Sequence, residues 1–153
     1  MPTTKTTATA ARATSAGFSD EERLAMQARV RELKSPSAEG DERAAGEAEI
    51  RAKLAEMPPK DRAMGERIHE LVTASAPHLV PRTYYGMPAY ARDGRTICFF
   101  KPASKFRVRY ATLGFQPDAQ LDDGEMWPVE YALTELTPAA EARIATLVKQ
   151  AAR

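Results

Sequence analysis

The fold of this chain is decided by residues 83–112, which read TYYGMPAYARDGRTICFFKPASKFRVRYAT. Apolar and polar residues alternate along much of this stretch, and Gly and Pro residues interrupt the alternation. A period of two places successive side chains on opposite faces of a strand, and Asp93-Gly94 is typical of a tight hairpin turn. The pattern predicts short antiparallel strands, which we place at 83–85, 89–92, 96–100 and 105–112.

The region before these strands predicts a tail, a helix and a linker. Residues 1–17 contain no apolar residue larger than Ala after the first Met, so we expect a disordered tail. Ser19 followed three residues later by Glu22 is typical of a capped helix N-terminus and predicts a helix over 18–34. Its few apolar positions favour docking on the surface of the domain or on a partner. A linker is expected at 35–40.

The remainder, 41–153, is predicted to form one α+β domain. Apolar spacings of three and four predict a helix over 41–57 and another that begins at Asp61. A further strand is expected at 129–133, and Thr137 is predicted to cap a last helix. We expect a twisted antiparallel sheet with the helices on one face. The predicted buried helical positions are Ile50, Leu54, Met57, Met64, Ile68, Leu71, Val72, Ser75, Ile144, Leu147, Val148 and Ala151.

Length, charge and cysteine content narrow the class of protein. The chain has 153 residues, 22 Lys and Arg against 21 Asp and Glu, and one Cys. This length suits one domain, and a single Cys excludes an intramolecular disulfide, which favours a cytoplasmic protein. A nearly neutral chain is not expected to bind nucleic acid, which requires cationic surface. The absence of a long apolar run predicts no membrane partner.

Few residues offer the usual chemistry of an active site. The phosphate-loop, zinc-protease and serine-hydrolase motifs are absent, and no paired acid and base can be located, so an enzyme is the least supported class. Glu66 and His69 form an E-x-x-H step without the second copy that a di-iron site needs. We expect His69 to flank the core, His78 to lie exposed at a helix end and Cys98 to be a small buried hydrophobe.

Positive and negative charges are concentrated in two neighbouring segments of the sequence. Residues 82–110 carry seven cations and one acid, whereas residues 111–135 carry six acids and no cation. Strand alternation would place Lys105, Arg107 and Arg109 in a cationic stripe on one face. The two segments could neutralise each other through cross-strand pairs, or one could stay open to a ligand.

The acidic segment contains the candidate metal ligands. Asp118, Asp122, Asp123 and Glu125 are hard oxygen donors on a predicted loop, suited to Mg²⁺, Ca²⁺ or iron. Their spacing does not match an EF-hand, and a solvated loop is the alternative interpretation.

A tyrosine-rich corner is the candidate ligand pocket. Gly86 permits an unusual backbone angle, Pro88 restricts the chain after it, and tyrosines flank the bend. Tyr offers an apolar body with a polar tip, so the corner suits a pocket, although a packed turn between strands is the alternative. The candidate pocket residues are Tyr84, Tyr85, Gly86, Met87, Pro88, Tyr90, Lys105, Arg109 and Trp127.

These motifs together resemble the YdhG-like domain family. The resemblance rests on Y-G-M-P-A-Y at 85–90, the Gly hairpin at 93–95, the apolar strand that reaches Phe100, and L-T-P-x-x-x-x-R-I at 136–144. It covers about residues 61–152, within a family of small bacterial proteins largely of unknown function. The resemblance implies an α+β fold. Some members are described as frataxin-like iron chaperones that pass iron to cluster or haem assembly proteins.

Three functional hypotheses remain open. The family resemblance implies an iron chaperone, with iron as the bound metal. The tyrosine corner favours a protein that binds a small anionic or aromatic ligand. The helix over 18–34 favours an interaction module that docks on a partner or on a second copy in a homo-oligomer. The folded positions of the acidic loop and of Lys105, Arg107 and Arg109 would discriminate between these hypotheses.

Overall fold

A five-stranded antiparallel sheet forms the centre of the fold, and helices pack on both of its faces. The computed structural model describes residues 17–33 and 39–153. The predicted tail up to residue 16 and the part of the predicted linker at 35–38 lie outside the described residues. The α+β class predicted from the sequence is confirmed.

The elements follow one another in a simple order. The helices are α1 (Asp20–Leu33), α2 (Glu39–Glu56), α3 (Pro59–Ser75) and α4 (Pro138–Ala151). The strands are β1 (Val80–Tyr84), β2 (Met87–Arg92), β3 (Arg95–Lys101), β4 (Ala111–Phe115) and β5 (Glu130–Leu133). Each strand pairs with the next one, so the sheet is a meander with the order β1-β2-β3-β4-β5. In the described part of the chain, no helix is long and apolar enough to cross a membrane.

Helices α2, α3 and α4 cover one face of the sheet, which we call the core face. The most deeply buried side chains of this core include Ile50, Ile68, Val72, Ile97, Phe100, Leu113 and Val148. The predicted helical stripes are therefore confirmed for most positions. Leu71 and Leu147 lie at the margin of the core, and Ser75 is only half-buried. Helix α2 lies so close to β1 that a Cβ at Gly46 would be 1.7 Å from the Pro81 carbonyl oxygen. Only glycine permits this approach.

Two predicted helix caps are present. The Ser19 side-chain oxygen accepts a hydrogen bond from the Glu22 N–H at 3.1 Å. The Thr137 side-chain oxygen accepts one from the Ala140 N–H at 3.2 Å. Helix α3 begins two residues before the predicted Asp61, because a proline fits the first turn of a helix.

The predicted strand over 105–112 is wrong. A short 3₁₀ helix spans Ser104–Phe106, Arg107 has a left-handed backbone with φ 52°, and β4 begins only at Ala111. The buried Asp61 carboxylate causes this difference, because it accepts hydrogen bonds from both the backbone N–H and the hydroxyl of Ser104. Lys105, Arg107 and Arg109 therefore do not form a stripe along a strand.

The expectation that all helices lie on one face of the sheet is also wrong. The opposite face, which we call the outer face, carries Met87, Ala89 and Phe99, and these side chains are buried. Helix α1 lies over this face, with Ala25 buried and Met26 half-buried. Because both faces of the sheet carry apolar side chains, both must be shielded from water, and α1 shields part of the outer face.

Candidate ligand-binding groove

The β1–β2 hairpin holds the C-terminal part of α1. Tyr85 and Gly86 both have left-handed backbones, with φ 52° and 74°, which is the conformation of a type I′ turn. Their backbone N–H groups donate hydrogen bonds to the carboxylate of Glu32 on α1, at 3.2 Å and 3.1 Å. The unusual turn thus presents two adjacent donors to one carboxylate, and this contact fixes α1 beside the outer face.

An Arg and two aromatic rings complete this attachment. The Arg29 guanidinium lies 4.8 Å from the centroid of the Tyr84 ring and 3.6 Å from a Glu32 carboxylate oxygen. The Tyr84 ring packs edge-on against Tyr85, with centroids 4.7 Å apart. A guanidinium above an aromatic face is attracted by the ring electrons, so Arg29 and Glu32 both stabilise the position of α1.

A groove of about 490 Å³ opens between α1 and the outer face. This volume lies within the range of sites that bind small molecules, about 300–1,000 Å³. Aromatic and aliphatic side chains form most of its walls, and Lys101, Glu22 and Glu130 supply the charge. The lining residues are Phe18, Glu22, Ala25, Met26, Tyr85, Met87, Phe99, Lys101, Phe106, Val108, Thr112 and Glu130.

The floor of the groove depends on one glycine. Phe99 on β3 pairs with Gly114 on β4, and a Cβ at Gly114 would be 2.2 Å from the tip of the Phe99 ring. The ring therefore lies against the backbone of β4. A larger residue at this position would push the ring into the groove.

Lys101 is the cation of the groove. Its ammonium lies 4.9 Å from the centroid of the Phe106 ring. No carboxylate among the side chains that the structure describes is within salt-bridge distance of this ammonium. A cation that lines an apolar groove and lacks an ion pair is a suitable partner for an acidic group on a ligand.

The candidate pocket residues from the sequence do not line one common cavity. Tyr85 and Met87 line the groove, whereas Gly86 and Lys105 line a smaller pocket beside the hairpin. Tyr90 is buried on the core face, because it lies an odd number of residues from Met87 along β2. The other four candidates do not line either opening: Tyr84 packs against Arg29, Pro88 is buried, Arg109 stacks on Tyr110, and Trp127 packs on the core.

Tyr90 belongs to a buried polar network instead. Its hydroxyl lies 2.8 Å from Nδ1 of His69, and Nε2 of His69 lies 2.8 Å from a Glu47 carboxylate oxygen. Burial raises the pKa of Tyr90 well above its usual value, and the neighbouring Cys98 and Glu47 add to this effect. Both nitrogens of His69 have partners, and Glu66 is exposed. The expected structural role of His69 is consistent with this geometry, and Glu47 was not identified from the sequence.

The other two residues with reactive side chains, Cys98 and His78, also have structural roles. Cys98 is fully buried in the core, as predicted, and burial raises the pKa of its thiol to about 12. The His78 side chain is bonded through Nε2 to the carbonyl oxygen of Ala152 at the end of α4, at 2.7 Å.

The acidic candidates do not form a metal-binding cluster. Asp118 pairs with Arg95 at 3.2 Å, and Asp122, Asp123 and Glu125 are exposed to solvent. Among the described residues, no group of three or more His, Cys, Asp or Glu side chains could hold a metal ion. Of the two alternatives for the charged segments, mutual neutralisation is limited, among the described side chains, to the ion pair between Arg95 and Asp118.

Comparison with known proteins returned no match: no family model, no curated protein and no solved structure is significantly similar to this chain.

Proposed function

We propose that this protein binds a small molecule with an aromatic or other apolar body in the groove between α1 and the outer face. The observation that carries the proposal is the groove itself, a cleft of about 490 Å³ with mostly apolar walls. Apolar surface is transferred from water when a ligand fills such a cleft, and this transfer favours binding by about 25 cal/mol for each Å². The proposed ligand therefore contacts Met26, Met87 and Phe99.

The proposed ligand also carries an acidic group that pairs with Lys101. Support comes from the position of the ammonium at the groove, where it has the Phe106 ring beside it and no carboxylate partner in the described part of the chain. Glu22 and Glu130 also line the groove and would repel additional negative charge. We therefore propose a ligand with one anionic group.

Iron handling, which the family resemblance implies, lacks comparable support. Its candidate ligands Asp118, Asp122, Asp123 and Glu125 are not gathered into a site, and Asp118 is already paired with Arg95. These four residues, as the structure places them, do not fit a carboxylate-based iron centre. The proposal that this chain is related to the YdhG-like family rests on its sequence motifs alone.

The test uses a dye that combines an aromatic body with one anionic group, 8-anilinonaphthalene-1-sulfonate. We expect Met26→Trp, which fills the groove, to weaken dye binding at least tenfold. Leu24→Trp is the matched control, because Leu24 is 61% exposed and lies on the opposite side of the same helix from Met26. It should leave the affinity unchanged.

The measurement is a fluorescence titration of each variant, with circular dichroism and a thermal melt to show that both variants are folded. Equal affinity for the wild type and Met26→Trp would overturn the proposal. An equal loss in Met26→Trp and Leu24→Trp would also overturn it, since the effect would then not depend on the groove.

A further inference from the structure

A second pocket, of about 230 Å³, lies beside the β1–β2 hairpin. It shares no lining residue with the groove, so its chemistry is independent of the proposed function. Its walls combine apolar side chains with two lysines. The lining residues are Lys53, Glu56, Met57, Pro58, Gly86, Pro102, Ser104 and Lys105.

Lys105 has an unusual position in this pocket. The side chain is half-buried, and its Nζ lies against Gly86, where a Cβ would be 2.9 Å from it. Of the carboxylates whose side chains the structure describes, none is within salt-bridge distance of its ammonium. The amine is therefore held at the pocket by packing against the hairpin and not by an ion pair.

Burial and one neighbouring cation favour the neutral form of Lys105. Burial lowers its pKa most, and the neighbouring Lys53 lowers it further. Glu56 on the same helix as Lys53, and Glu32 on α1, act in the opposite direction but do not cancel these effects. The ammonium groups of Lys101 and Lys105 both lie near the Phe106 ring, at 4.9 Å and 5.8 Å from its centroid. A lysine that is desolvated and placed beside another cation is the usual arrangement of a nucleophilic amine.

We propose that Lys105 is a reactive amine that forms an imine with a small carbonyl compound bearing a carboxylate. In its uncharged form, Nζ adds to the carbonyl carbon, and a carbon–nitrogen bond forms. The carbonyl oxygen then leaves as water, taking the two protons that the amine loses, so no oxidant or reductant is needed. Lys53, whose ammonium lines the same pocket, pairs with the carboxylate of the compound.

The Lys53 ammonium has a carboxylate neighbour of its own. It lies 3.7 Å from a Glu56 oxygen, and both side chains reach the pocket. This pair is partly exposed, so it is weak and can exchange with a ligand carboxylate. The pocket therefore offers one amine for the carbonyl group and one cation for the acid group.

The test is reductive trapping with glyoxylate, which carries an aldehyde and a carboxylate, followed by peptide mass spectrometry. Cyanoborohydride reduces any imine that forms and leaves N-carboxymethyl-lysine at the reactive site. At neutral pH and low conversion, we expect Lys105 to be labelled at least tenfold faster than the exposed Lys60 and Lys149. In urea this preference should disappear, because it depends on the folded pocket.

Two variants and a second aldehyde test the roles of Lys53 and of the carboxylate on the bound compound. Lys53→Met should slow labelling of Lys105 several-fold, since it removes both the neighbouring cation and the carboxylate partner, whereas Lys149→Met should have no effect. Propanal, which has no carboxylate, should show a weaker preference for Lys105 than glyoxylate does. Labelling of Lys105 no faster than that of Lys60 and Lys149 would overturn the proposal. Unchanged labelling in Lys53→Met, or equal selectivity of both aldehydes, would overturn it as well.

Discussion

The carboxylate of Glu32 accepts a hydrogen bond from the backbone N–H of Gly86 at 3.1 Å, across 54 positions of the chain. This contact ties the N-terminal helix to the first hairpin of the sheet. It matters for function because α1 forms one wall of the groove, while the outer face forms the other.

Removal of this carboxylate is expected to loosen α1. Glu32→Ala deletes the acceptor of two N–H groups, and hydrogen bonds to charged groups contribute about 1.5–3 kcal/mol. Hydrogen exchange should show faster exchange of the α1 amides and of the Gly86 amide. Gln27→Ala is the control, because Gln27 is an exposed residue of the same helix. Unchanged α1 exchange in Glu32→Ala would show that this contact does not hold the helix.

Gly86 and Gly94 form a natural pair for a comparison of turns. Their φ angles are 74° and 76°, and each follows a residue with φ 52° in a type I′ turn. Alanine at either position should reduce the free energy of unfolding by about 1 kcal/mol, because a Cβ strains this backbone. At Gly86 the new Cβ also meets the Lys105 Nζ, whereas nothing lies within 4 Å at Gly94.

Urea denaturation of the two variants measures the difference. We expect Gly86→Ala to lose more stability than Gly94→Ala, by a small amount because the end of a lysine side chain can move. The opposite order, or no loss in either variant, would contradict this account of the turns.

Lys101 is expected to select for an acidic group on the ligand. Lys101→Met should weaken the binding of 8-anilinonaphthalene-1-sulfonate about tenfold. It should leave the binding of N-phenyl-1-naphthylamine nearly unchanged, because that dye has a similar aromatic body and no charge. Fluorescence titration with both dyes tests this, and Lys149→Met, which changes an exposed lysine that does not line the groove, is the control. Equal effects on the two dyes would exclude a charge-dependent role for Lys101.

Cys98 gives a prediction for pH. Burial raises the pKa of its thiol from 9.0 to about 12, so the folded protein retains a proton that the unfolded chain loses in this range. Below pH 9 the buried neutral thiol contributes its full stabilising free energy, and this contribution decreases as the pH rises towards about 12. Native protein at pH 8 should not react with a disulfide reagent such as Ellman's, whereas protein in urea should react. Rapid reaction of the native protein would contradict the buried position.

The sequence predicted the helices and strands β2 and β3 well because their determinants are local, whereas β1 begins three residues before the predicted strand at 83–85 and ends at Tyr84. Three- and four-residue apolar spacing, the caps at Ser19 and Thr137 and the Asp93-Gly94 turn each act within a few residues. The error at 105–112 arose because alternating charged and apolar residues imitate a strand. The conformation there is fixed by Asp61, which lies 43 positions away from Ser104 along the chain.

The site could be predicted only in part for the same reason. Tyr85 and Met87 stand out as members of a Gly-Pro corner, and both line the groove. Phe18 meets Phe99 and Lys101 only because α1 packs on the outer face, and no local pattern shows which face that helix covers. The sparse apolar positions of α1 predicted docking on a surface without showing where.

The most direct test of the groove is a methyl NMR titration of protein with ¹³C-labelled methionines. Met26 and Met87 line the groove from opposite walls, whereas Met57 and Met64 lie in the core on the other face and Met126 is 88% exposed. On addition of 8-anilinonaphthalene-1-sulfonate, the account predicts shifts of the Met26 and Met87 methyl resonances, with the resonances of Met57, Met64 and Met126 unchanged. Shifts at Met57, Met64 or Met126 without shifts at Met26 and Met87 would contradict it.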